Sequence, residues 1–96
     1  MMPVYLSQNA YDQLQNIIFY LENNWSIKVR DNFLSKLDAI FETIATFPYS
    51  FPESNKILGL RKCVVSKQVT AFYRVDEVRK EIEIIAVIDN RQKLDF

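Results

Sequence analysis

Four basic residues in the second half of the chain stand where they could act on a negatively charged group. Arg91 closes the run Ile84-Ile85-Ala86-Val87-Ile88-Asp89-Asn90-Arg91. A rigid strand positions a guanidinium better than a loop does. Arg61 and Lys62 are adjacent in a second strand-type segment, and Arg74 lies in a third. Alternation along a strand sends Arg61 and Lys62 to opposite faces, so only one can share a side with Arg91. Plainer readings stand beside this one. Arg91 could pair with Asp89 or Glu83 or be solvated, and exposed ion pairs contribute little. Arg61, Lys62 and Arg74 fit ordinary solvated strand faces equally well.

Other chemistries are excluded by what the 96 residues lack. There is no His, one Cys and one Gly. Ser-His-Asp and Cys-His catalysis need an imidazole, and zinc sites draw on several His and Cys ligands, which a chain with no His and one Cys does not offer. Glycine-rich phosphate loops need several glycines. No cofactor and no metal are expected. Cys63 has no base to activate it and reads as a small buried residue. One cysteine allows no disulfide within the chain, which fits a reducing compartment.

Net charge is zero, unlike a simple nucleic-acid binder. The charge is uneven, with three Lys/Arg against six Asp/Glu in residues 1–55 and nine against six in residues 56–96. Any positive field belongs to the second half. MMPVYLSQ has no basic region and no long apolar core, and no apolar run reaches the roughly 20 residues of a membrane span. A cytoplasmic protein without a membrane partner is expected.

The elements that would position the basic residues can be read from periodicity. PVYL, residues 3–6, is a short strand. Ser7 caps a helix over about 8–22, with Ala10, Leu14, Ile17, Ile18 and Leu21 at helical spacing. Asn23-Asn24-Trp25 breaks it. Ser26 caps a second helix over about 27–46, striped by Val29, Phe33, Leu37, Ile40, Phe41, Ile44 and Phe47 and stopped by Pro48. The short connection predicts an antiparallel helical hairpin.

Residues 48–59 form a loop. The period then changes from 3.6 to 2. Strands follow at 60–65, 69–75 and 81–88, joined by a tight turn at Ser66-Lys67 and a charged turn at 76–80. The continuous apolar run 84–88 predicts a central strand covered on both faces. Phe72 and Tyr73 read as core. The prediction is one domain over 1–96, of α+β class. A short N-terminal strand and an antiparallel helical hairpin pack on a mainly antiparallel sheet that ends in a three-strand meander.

Several segments together resemble the RelE/ParE superfamily of toxins from bacterial type II toxin–antitoxin systems. AYDQLQNIIFYL looks like the family's first helix, and FLSKLDAIFETIATFP looks like its second, ending at a proline. LRKCVVSKQVTAFYRVDEVRKEIEIIAVIDNRQ looks like its strand block, and DNRQ is its most specific part.

The resemblance implies a toxin neutralised by a cognate antitoxin. RelE-like members cleave mRNA on the ribosome, and ParE-like members inhibit DNA gyrase. Metal-free RNA cleavage without His would rest on Lys, Arg and Tyr around one phosphate. Arg91 matches the exit arginine of the ribonucleases, Arg61 matches half of an upstream basic pair, and Lys62 is adjacent. These three are the catalytic candidates if the chain is a ribonuclease. Thr70 stands where those enzymes carry a second arginine, Cys63 stands at the other half of the basic pair, and no tyrosine follows Arg91. The departures favour the ParE-like reading, a binding inhibitor of a gyrase-type target. An mRNA endonuclease and a non-toxic antitoxin-binding module remain the alternatives.

Overall fold

The computed structural model describes residues 1–90. Strand β1 is Val4–Leu6, helix α1 Gln8–Asn24 and helix α2 Ile27–Thr46. Strands β2 Arg61–Val64, β3 Val69–Asp76 and β4 Glu81–Asp89 follow. Both serine caps form. The Ser7 hydroxyl accepts from the Ala10 N–H at 3.0 Å, and that of Ser26 accepts from the Val29 N–H at 3.1 Å. Each satisfies an amide that the helix cannot pair internally.

Helix α1 runs two residues beyond the expected end. The Asn23 and Asn24 side-chain amides donate to the Phe19 and Tyr20 carbonyl oxygens of the last turn. They therefore extend the helix and do not interrupt it.

The strands form one mixed sheet in the order β1-β4-β3-β2. β2, β3 and β4 pair antiparallel as a meander, and β1 pairs parallel with β4, Val4 opposite Ile82 and Leu6 opposite Ile84. The helical hairpin covers one face. Ala10, Leu14, Ile17 and Leu21 of α1 and Phe33, Leu37 and Ile44 of α2 bury against Cys63, Val69, Ala71, Tyr73, Ile82, Ile84 and Val87. Each large aliphatic side chain buried this way contributes roughly 1.5–3 kcal/mol. Val29 and Phe47, at the two ends of the α2 stripe, stay exposed.

β4 is central, but helices cover only one of its faces. Its unbroken apolar run has a different cause. Phe72 pairs with Ala86 and Tyr73 with Ile84, so Ile85 is an extra residue, a bulge that shifts alternation by one. Polar groups of α1 and its N-cap hold this bulge. The Ser7 hydroxyl donates to the Ile85 carbonyl oxygen at 3.0 Å, and the Gln13 side-chain oxygen accepts from the Val87 N–H at 2.8 Å. Gln13 takes the place of strand β1, which has already ended at Leu6.

Both strand turns differ in detail from the sequence expectation. The β2–β3 hairpin loop spans Ser66–Gln68, closed by the Val65 N–H donating to the Val69 carbonyl oxygen at 2.9 Å. In the β3–β4 turn one Asp76 carboxylate oxygen accepts from the Val78 and Arg79 N–H groups, and Lys80 takes φ 57°.

Candidate functional site

The sheet registers decide which basic residues can meet. Arg61 lies opposite Tyr73, on the side of the core residues, and Lys62 lies opposite Phe72, on the side away from the helices. Phe72 is thus half-buried on the open face, not in the helix-packed core. The two adjacent cations face apart, as alternation requires.

Arg61 is committed to the loop before it. Its guanidinium donates to the Phe51 carbonyl oxygen at 2.7 Å and to that of Tyr49 at 3.4 Å. It lies 5.0 Å from the centroid of the Tyr49 ring and 3.7 Å from a Glu53 carboxylate oxygen. The same loop is fixed by the Tyr73 hydroxyl, which donates to the Pro48 carbonyl oxygen at 2.7 Å, and by the Phe51 ring, edge-on to Tyr73 at 6.4 Å. The aromatic-proline segment therefore seals the core beside β3. Glu53 also pairs with Arg61 as an isolated bridge, and the Lys62 N–H donates to the Pro52 carbonyl oxygen, so the outer edge of β2 is covered.

Lys62 instead lines a cup of about 660 Å³ on the open face. Loop residues 51–56 form one wall, and Val64, Thr70, Phe72 and Asn90 complete it. Lys56 adds a second ammonium group to the rim, one that sequence reasoning did not single out. Arg74 leaves the basic patch, because its guanidinium pairs with Glu83 at 2.7 Å. Arg91, the third catalytic candidate, lies outside the described residues.

Two buried groups behind the site resist ionisation. Burial pushes the Cys63 thiol up to about 11, which keeps it protonated and unreactive. Burial likewise raises the Tyr73 phenol to about 12, against the opposing pull of Arg61.

A meander covered on one face by a helical hairpin, with β1 returning parallel to β4, can now be compared with known proteins. The family described as ParE toxin of type II toxin-antitoxin system, parDE, matches residues 4–94. The chain belongs to the ParE toxin family. It is therefore the toxin component of a type II toxin–antitoxin system.

Toxin ParE1 of Caulobacter vibrioides is 36% identical over 89 residues, covering 92% of this chain and 88% of that protein. A structure of the chromosomal ParDE system from P. aeruginosa superimposes with a TM-score of 0.77 at 15% identity, over 93% of this chain and 96% of that one. A heterotetrameric YoeB-YefM toxin-antitoxin complex from Staphylococcus aureus gives 0.62 at 13% identity, over 92% and 95%. At such identities the structures establish the shared fold. The ParE toxin fold thus holds Lys62 and Lys56 on the open face and ties Arg61 to loop 47–53.

Proposed function

We propose that this ParE-family chain, a single toxin domain over residues 1–96, acts in the cytoplasm by binding and inhibiting a gyrase-type target. A cognate antitoxin neutralises it. The antitoxin part is supported by the fold shared with a toxin solved in a toxin–antitoxin complex. The gyrase part is supported by the ParE-like character of the chain.

One observation favours inhibition by binding over hydrolysis. Arg61 spends its donors on the Phe51 and Tyr49 carbonyl oxygens, on the side of the sheet opposite Lys62. Acid–base cleavage of RNA needs its groups within hydrogen-bond reach of one phosphate. Thr70, at the position of the ribonucleases' second arginine, brings a hydroxyl to the cup and no charge.

The test is induction in cells without the antitoxin, counting viable cells and mapping mRNA ends. The proposal expects arrest with intact messages and a fall in negative supercoiling of a reporter plasmid. Messages cut within codons, with supercoiling unchanged, would overturn it in favour of a RelE-type endonuclease. No arrest from soluble, folded protein would overturn it in favour of a non-toxic binding module.

A further inference from the structure

The Lys62 cup holds two cations without a counter-charge. Neither Lys62 nor Lys56 makes an ion pair among the described residues. The one carboxylate in the described lining, that of Glu53, lies 3.7 Å from the Arg61 guanidinium. Thr70 lines the same cup and is only 5% exposed. Its hydroxyl has no hydrogen-bond partner among the described residues, and no buried side-chain oxygen among them goes unpaired, so the hydroxyl opens to the cup. Lys62 stands opposite Phe72 and Val64 opposite Thr70, so an ammonium group, an aromatic ring and a hydroxyl occupy neighbouring rungs of the open face. Thr70 and Phe72, two residues apart in one strand, are separated by about 7 Å.

We propose that the cup binds a nucleotide unit, with its base on the Phe72 ring, its phosphate between Lys62 and Lys56, and one phosphate oxygen accepting from the Thr70 hydroxyl. The two ammonium groups call for an anion. The hydroxyl calls for an acceptor oxygen, and the half-buried ring calls for a flat apolar group that can stack on it. A nucleotide carries all three, whereas inorganic phosphate and an acidic peptide lack the flat group beside the anion. The volume of about 660 Å³ lies within the range of small-ligand sites, roughly 300–1,000 Å³. A paired and stacked base hides its faces, so a unit that belongs to a strand must be unpaired. The inference deepens the target-binding reading and rests on it for a cellular role, since a gyrase-type target works on DNA strands. The binding itself belongs to the toxin alone.

The test is fluorescence anisotropy of a labelled oligothymidine of about eight nucleotides, a usual site size for single strands, titrated with the purified full chain at low salt. Saturable binding is expected, with log K falling against log salt at a slope of about −1.4 for two phosphate contacts. Lys62→Ala should halve that slope to about −0.7. Phe72→Leu keeps an apolar side chain and should weaken binding about tenfold, the loss of one stacked base. Thr70→Val should weaken it about fivefold. Lys28→Ala, the same charge change on α2, should leave it as in the parent. Circular dichroism first matches the fold of each variant to the parent. Displacement by free thymidine monophosphate at equal base concentration would make the free nucleotide the source, and displacement by the oligonucleotide alone would make it the strand; either supports the site. No saturable binding would overturn the proposal, as would equal displacement by inorganic phosphate or polyglutamate, or unchanged binding in Lys62→Ala and Phe72→Leu. Saturable binding by a chain that leaves gyrase fully active would keep the nucleotide site and remove only the gyrase target.

Discussion

The Arg61 guanidinium donates to the Phe51 carbonyl oxygen at 2.7 Å while stacking 5.0 Å from the Tyr49 ring centroid. One planar cation thereby fixes two points of loop 47–53. A lysine cannot reproduce the fork or the stacking. Arg61→Lys should lower stability by roughly 1–2 kcal/mol. Lys62→Ala, one residue away on the solvated face, should stay within about 0.5 kcal/mol. Urea unfolding of the two variants checks both values, and equal losses would contradict the different placements of these neighbours.

The bulge at Ile85 makes a second prediction. The Gln13 side-chain oxygen is the partner of the Val87 N–H where β1 no longer reaches. Gln13→Ala should cost about 1 kcal/mol. It should also speed hydrogen exchange at the Val87 amide more than at Ala71, the residue paired with it across the sheet.

Tyr73 gives a third. Its hydroxyl holds the Pro48 carbonyl oxygen at 2.7 Å, and its ring is fully buried. Tyr73→Phe keeps the packing and removes the donor, so a loss of about 1 kcal/mol is expected. Thermal unfolding against the parent chain measures it.

Alkaline pH should unfold the chain in a window set by buried acids. The Cys63 thiol rises from 9.0 to about 11 and the Tyr73 phenol from 10.0 to about 12, both because burial disfavours the ionised form. Below pH 9 both groups are protonated in folded and unfolded chains, and their full contribution is present. Above it the unfolded chain sheds protons that the folded chain retains. Stability therefore falls from about pH 9 to 11 for the thiol and from about 10 to 12 for the phenol. Cys63→Ala should flatten the fall between pH 9 and 10, as read from denaturant midpoints across that range.

Much of this fold is written in local pattern. Ser7, Ser26 and Pro48 mark helix ends through backbone chemistry that acts within a few residues. The spacing of Ala10, Leu14, Ile17 and Leu21 names the buried face. Alternation separates Arg61 from Lys62 without any structure.

The parts that were not legible depend on residues far apart in the chain. The parallel pairing of β1 with β4 joins Val4 to Ile82. The run 84–88 suggested cover on both faces because a bulge imitates a fully buried strand, and only the register with β3 separates the two. Gln13 carries no local signal of its role, because its partner is 74 positions away. The capture of Arg61 by loop carbonyl oxygens left no side-chain pattern to find, since backbone acceptors are the same at every residue.

The most direct test of the central claim is a supercoiling assay with purified gyrase and purified toxin. The account predicts loss of supercoiling, restored when the cognate antitoxin is added. Full supercoiling at saturating toxin, together with messenger cleavage on added ribosomes, would contradict it.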